Sequence, residues 1–186
     1  MAEVAKKREI QVEEKKGLQT TDLVLVAVLI AAGAVLKLVV GMLFQGGVKP
    51  NFMIAAYCLA LLLIRPKSYG QGAAYGAIIG LITGAVCQIP LLCGTPFVNF
   101  ASELAGGIAI GLLAAIPVQG GKSAALAGIG TFVSGGLFSA IAAAMRSMDA
   151  MAALVQFGPI VILTALFNAI VVAILIVPLR KALKCD

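Results

Sequence analysis

Long apolar runs separated by short polar segments make up most of this chain. The runs cover residues 21–44, 51–64, 69–88, 97–116, 122–145 and 155–179. A helix needs about 20 consecutive apolar residues to cross a bilayer, so every run except 51–64 is long enough or nearly so. The pattern predicts an all-α integral membrane protein, with a charged cytoplasmic segment at 1–20 and a compact bundle of six transmembrane helices within 21–186.

Composition supports this prediction and excludes a soluble enzyme domain. Hydrophobic residues make up 61% of the 186 residues and charged residues only 12%, whereas about 25% is usual in soluble domains. The six runs leave no room for an ATP-hydrolysing domain. Any energy for transport would therefore have to come from an ion gradient or from a partner chain.

The basic residues are sorted to one side of the predicted membrane. The chain carries a formal net charge of +6, and lysine and arginine are enriched in short cytoplasmic loops of membrane proteins. With the N-terminus inside, the outer segments hold only Lys49 and Arg146. This bias predicts that both termini are cytoplasmic, and it removes the argument for a nucleic-acid partner. The inner segments hold Lys6, Lys7, Arg8, Lys15, Lys16, Arg65, Lys67, Lys122, Arg180, Lys181 and Lys184.

Small residues recur at four-residue spacing, which places them on one helix face and allows close packing of helices in lipid. Packing within the chain explains most of these positions. For the first helix, docking of a second chain on its small-residue face is the alternative. The positions are Ala27 and Ala31; Gly72, Gly76, Gly80 and Gly84; Gly107 and Gly111; and Ala127, Thr131, Gly135, Ser139 and Ala143.

Polar residues within apolar runs are costly in a membrane and therefore indicate function. All of them except Asn168 fall in the outer half of the predicted bilayer or just above it, which predicts an outward-facing pocket with Glu103 as its deepest acid. A structural ion pair between Glu103 and Lys37 is the alternative. The candidate binding residues are Lys37, Lys49, Gln88, Phe97, Asn99, Phe100, Glu103, Gln156 and Asn168.

Two loop features can be interpreted either as part of the binding site or as ordinary loop structure. Lys49 lies in a glycine-rich loop, 46–50, that is either a hinge over the pocket or a simple turn. Arg146 and Asp149 are either ligand contacts or part of a solvated loop, and Phe138 is a further candidate for stacking on a ligand ring.

Enzyme and metal motifs are not found. The chain has no histidine, and the segment Gly120-Gly-Lys-Ser123 has Ile116 where a phosphate-binding loop needs its first glycine. We therefore expect a turn in which Lys122 anchors the fifth helix. The cysteines are too scattered for a metal site, although a bridge between Cys87 and Cys93 is an alternative to ordinary packing. No cofactor is expected.

Several motifs resemble the substrate-capture (S) components of energy-coupling factor (ECF) transporters, and in particular their tryptophan-transport branch. The motifs are Ala27-Val-Leu-Ile-Ala31, Gly47-Val-Lys-Pro-Asn-Phe52, Leu61-Leu-Leu-Ile-Arg-Pro-Lys67 and Thr95-Pro-Phe-Val-Asn99 followed by Glu103. This chain departs from the branch at Asn51, where an acid is usual, and in the longer spacing from Pro96 to Asn99. The resemblance covers residues 21 to about 116 well.

The resemblance implies a multi-pass subunit in the cell membrane of a prokaryote that captures a small metabolite, a tryptophan-like amino acid or a vitamin. Ala27 and Ala31 would dock on a transmembrane coupling (T) subunit that joins two ATPase subunits. Glu103 would pair with an amine of the ligand. The rival classes are a stand-alone secondary carrier and a purely structural membrane subunit.

Overall fold

The computed structural model describes residues 17–43, 51–89, 92, 95–116 and 122–184. Within these ranges the chain is all-α and forms six helices, which confirms the all-α part of the predicted fold class; four of the six helices contain a candidate membrane span. Parts of α1 and α4 and all of α5 and α6 are long and apolar enough to cross a membrane, as expected for a multi-pass membrane protein. The helices are α1 (Thr20–Leu43), α2 (Phe52–Ile64), α3 (Tyr69–Val86), α4 (Pro96–Ala114), α5 (Lys122–Met145) and α6 (Ala150–Leu183).

Side chains at the helix starts satisfy backbone N–H groups that the helices leave unpaired. The Ser68 side chain accepts a hydrogen bond from the backbone N–H of Gln71, and the Asp149 side chain accepts one from Ala152. The Asp149 cap starts α6 at Ala150, so this helix is longer than the predicted run 155–179. Pro159 and Pro178 lie inside it, because helices in a membrane tolerate proline where neighbours compensate for the lost hydrogen bond.

The shortest helix, α2, lies at the centre of the bundle. All of its residues from Phe52 to Leu63 are buried, and it contacts each of the other five described helices. Its 13 residues span about 20 Å at 1.5 Å per residue, which is less than the roughly 30 Å of a hydrocarbon core. The start of α2 lies inside the bundle, because Asn51 there contacts Glu103 on α4 and Asn168 on α6.

Helices α3 and α4 pack together through glycine, which confirms packing within the chain for this part of the small-residue pattern. A Cβ atom at Gly72 would lie 2.2 Å from the carbonyl oxygen of Gly111, and one at Gly76 equally close to that of Gly107. These distances leave no space for any side chain. The two backbones touch directly, as small residues allow in lipid.

Helix α1 lies at the edge of the bundle, against α2 and a small part of α3. Val26 and Ile30 are buried on its inner face. Ala27 and Ala31 are exposed on its opposite side, together with large apolar residues. This outer face is available to lipid or to another chain.

Candidate functional site

Seven polar residues from five helices and from the start of α2 meet in the interior of the bundle. Six of them are buried, and Asn51 is half-buried. Because burial of polar groups is costly without compensating contacts, this set is the main candidate for function. We refer to it as the polar cluster, and its members are Lys37, Asn51, Tyr57, Glu103, Thr131, Ser134 and Asn168.

Asn51 connects the two charged residues of the polar cluster. Its Oδ1 accepts a hydrogen bond from Lys37 Nζ at 3.3 Å, and its Nδ2 donates to Glu103 Oε1 at 2.5 Å. The same Oδ1 accepts from the backbone N–H of Met53 at 3.3 Å and so caps α2. The side chain of Asn51 thus forms an amide bridge between Lys37 and Glu103, the two residues of the predicted ion pair.

Asn168 completes the other side of the polar cluster. Its Nδ2 donates to the backbone oxygen of Asn51 at 3.2 Å and to Thr131 Oγ1 at 3.0 Å. From its position in the last apolar run, Asn168 was expected to lie deeper in the membrane than the other polar residues. In the structure Asn168 joins the polar cluster through the backbone oxygen of Asn51, at the start of α2, and through Thr131 on α5.

Three buried atoms of the polar cluster make no well-aligned hydrogen bond to the described residues: Tyr57 Oη, Glu103 Oε2 and Asn168 Oδ1. Tyr57 Oη nevertheless lies close to Glu103 and Ser134. The side chains that carry them are fully buried. An unsatisfied buried polar atom costs about 1–3 kcal/mol, and in a native protein it calls for an explanation such as a bound group. Two of the three atoms are acceptors only, so the arrangement suits a ligand rich in hydrogen-bond donors, such as an ammonium group.

Gly106 provides the space for the Tyr57 hydroxyl. A Cβ atom at this position would lie 2.5 Å from Tyr57 Oη and 2.8 Å from Ser134 Cβ. Since Gly106 lies one turn after Glu103 on α4, the missing side chain lets the hydroxyl approach both Glu103 and Ser134. The three polar groups thus lie side by side.

Comparisons with known proteins do not assign this chain to a family. The chain matches no protein-family model, and it has no significant match among curated proteins or solved structures.

Five other predicted binding residues lie outside the polar cluster: Gln88, Phe97, Asn99, Phe100 and Gln156. Asn99 Nδ2 donates to the backbone oxygen of Thr95 one turn earlier, at 2.9 Å. Phe97 is 85% exposed on the bundle surface, whereas Phe100 packs over Gly84 between α3 and α4. Gln156 is exposed on α6.

Gln88 closes α3 with a local contact. Its Nε2 donates to the backbone oxygen of Gly84 at 2.9 Å, one turn earlier. Lys49, the loop 46–50 and Cys93, with its predicted alternative of a bridge to Cys87, lie outside the described residues.

The outer loop residues have local roles in the structure. Asp149 caps α6, and the exposed Arg146 guanidinium lies 5.7 Å from the centre of the Phe157 ring. Phe157 in turn makes an edge-to-face contact with Phe138. These contacts favour the solvated-loop interpretation of Arg146 and Asp149.

Sequence reasoning missed Asn51, Tyr57, Thr131 and Ser134 as site residues. Asn51 carried a signal, because a polar residue before a short apolar run is a typical helix cap. Tyr57 carried a weaker one, as the only hydroxyl in the run 51–64. Thr131 and Ser134 looked like the packing residues that small hydroxylated side chains usually are in membrane helices.

Proposed function

We propose that this chain is the substrate-capture subunit of an ECF-type importer in a prokaryotic cell membrane. It binds a small metabolite, a tryptophan-like amino acid or a vitamin, and delivers it together with a T subunit and two ATPase subunits. The observation that carries the proposal is the set of three fully buried polar atoms in the polar cluster that make no well-aligned hydrogen bond to the described residues. A binding protein benefits from such atoms because the ligand supplies their hydrogen bonds.

In this proposal an ammonium group of the ligand binds between Glu103 Oε2 and Asn168 Oδ1. The carboxylate provides charge-assisted hydrogen bonding, which is stronger than the neutral kind. Tyr57 Oη, beside Glu103, offers a further contact. Asn51 holds Glu103 by its other oxygen and so keeps the second oxygen directed at the ligand.

The proposed topology has all six helices crossing the membrane with both termini in the cytoplasm. The sorting of lysine and arginine supports the orientation. Helix α2 is short, but surrounding helices shelter it from lipid. The start of α2 then faces the outer side, which agrees with capture of a solute from outside.

The exposed face of α1 supports the proposed partner. Ala27 and Ala31 lie on the side of α1 turned away from the bundle. Small residues there would let a helix of the T subunit approach closely, as small-residue faces do in membranes. This arrangement matches the docking role that the family resemblance implies.

Substitution of Glu103 tests the proposed binding site. The purified chain is titrated with tryptophan, followed by its indole emission, and with vitamins, followed by calorimetry; the chain itself contains no tryptophan. We expect Glu103→Gln to weaken binding of the best ligand by about tenfold or more, because a charge-assisted hydrogen bond is lost. Gln156→Ala, on the exposed side of α6, should bind as the wild type does. Unchanged affinity in Glu103→Gln would reject the site.

One observation favours a stand-alone secondary carrier as the second candidate. Glu103 is completely buried in the interior of the bundle, where it contacts Asn51 at the start of the central helix. Ion-coupled carriers use such interior ionisable groups. Gradient-driven uptake of the best ligand by the chain alone in proteoliposomes would favour the carrier. Binding without uptake, and co-purification with a T subunit and ATPases, would favour the capture subunit.

A further inference from the structure

A second group of charged residues lies at the opposite end of the bundle from the start of α2. Lys122, the first residue of α5, donates from its Nζ to the backbone oxygen of Ala114 at 3.0 Å and also to that of Ile116. These oxygens lie at the end of α4, where carbonyl groups lack partners and a positive charge is stabilising. These hydrogen bonds fix the position of the Lys122 side chain and attach the start of α5 to the end of α4, as its predicted anchoring role requires.

Helices α5 and α6 are consecutive and pack against each other, so Arg180 in the last turn of α6 lies at the same end of the bundle as Lys122 at the start of α5. The two positive charges repel each other there. The Nε atom of Arg180 is buried and has no hydrogen-bond partner among the described residues. The acids in the described ranges are Asp22, Glu103 and Asp149. Glu103 and Asp149 are engaged elsewhere, and Asp22 accepts from the backbone N–H of Gln19. Within the described part of the chain, the fold thus brings two cations together without an acid to pair with them.

These two cations lie where apolar helix surface gives way to polar residues. Lys122 begins the apolar run 122–145, and Arg180 directly follows the run 155–179. Lys181 and Lys184 continue the positive charge along α6. In the proposed topology this is the cytoplasmic boundary of the membrane, where anionic lipids attract basic residues.

We propose that Lys122 and Arg180 bind the phosphate group of an anionic phospholipid. The arginine fork suits two oxygens of one phosphate, and its Nε–H would gain the acceptor that it lacks. The start of α5 adds backbone N–H groups and a positive helix end at the same level.

A phosphate ion without acyl chains offers the same charge, but the surroundings favour a lipid. Ile174 and Val177 are exposed on α6 just before Arg180, and Ile129 is exposed on α5 about two turns after Lys122. These side chains provide an apolar surface next to the cations on which acyl chains can lie. The site therefore has cations for the phosphate group of a phospholipid and apolar side chains for its acyl chains.

Native mass spectrometry of the full-length protein tests this site. The detergent-solubilised chain is mixed with phosphatidylglycerol or with zwitterionic phosphatidylcholine, and the retained lipid is counted. We expect the wild type to retain phosphatidylglycerol preferentially, and Arg180→Gln to retain about tenfold less, the loss that corresponds to one charge-assisted hydrogen bond. Arg180→Lys keeps the positive charge but lacks the planar guanidinium group. Its retention of phosphatidylglycerol should lie between that of the wild type and that of Arg180→Gln.

Lys184→Gln is the matched control, because it removes one positive charge from the exposed end of the same helix. It should retain phosphatidylglycerol within about twofold of the wild type, since an exposed charge contributes little. Equal retention by Arg180→Gln and the wild type would overturn the proposal. So would displacement of the lipid by inorganic phosphate at equal concentration, which would identify a site for the free anion.

Discussion

Asn51 is the residue on which the polar cluster depends most. Its side chain joins Lys37 to Glu103 and caps α2, while its backbone oxygen accepts from Asn168. One residue thus connects α1, α2, α4 and α6. An acid at this position, usual in the branch that the chain resembles, would place a second carboxylate against Glu103, whereas the amide of Asn51 can donate to it.

Loss of the Asn51 side chain should destabilise the protein strongly. We expect Asn51→Ala to lower the free energy of unfolding by about 2–4 kcal/mol, because a helix cap is lost and Lys37 and Glu103 lose a buried partner. Ser68→Ala removes only an exposed cap at the start of α3 and should cost about 1 kcal/mol. Equilibrium unfolding of both variants in detergent measures the difference. Equal destabilisation would show that the bridge contributes nothing beyond the cap.

The sequence predicted part of this site for a clear physical reason. Lys37, Glu103 and Asn168 stand out because charged and amide groups inside apolar runs are costly. Phe97 and Gln156 were predicted as well but are exposed, since position along a run indicates depth and leaves the direction of the side chain undetermined. Asn51 was noticed only as a departure from a motif, because its partners are distant in sequence.

At the scale of the helices, the contact between α3 and α4 follows directly from the spacing of small residues. Glycines repeat every fourth position on α3, and Gly107 and Gly111 have the same spacing on α4. The structure places these two faces against each other. Helix ends were harder to predict, because the long α6 depends on the Asp149 cap and on tolerance of Pro159, neither of which hydrophobicity reveals.

A methyl group at this contact should separate the two helices. Gly76→Ala would place a Cβ atom 2.2 Å from the backbone oxygen of Gly107, so we expect a loss of about 1–3 kcal/mol or more. Gly128→Ala on α5 meets no atom within 4 Å and should be neutral or slightly stabilising, since alanine favours helix. Thermal unfolding of the two variants in the same detergent tests this contrast. Similar melting temperatures would contradict close backbone contact.

At the scale of the whole molecule, the central position of α2 is the feature that the sequence did not predict. The length of the run 51–64 indicated a short helix, but its burial on every side depends on how the other five helices surround it. Because α2 is shorter than its neighbours, its polar start lies among them. The polar cluster follows from this difference in length.

The central claim is that the polar cluster holds a small molecule with a donor group. Mass spectrometry of compounds released from the denatured, purified protein tests it directly, because the method identifies whichever ligand is bound. The account predicts that an amine-bearing metabolite is released from the wild type and from Gln156→Ala, and that Glu103→Gln releases much less of it. Release of the same compound in equal amount from Glu103→Gln, or of no compound from the wild type, would contradict it.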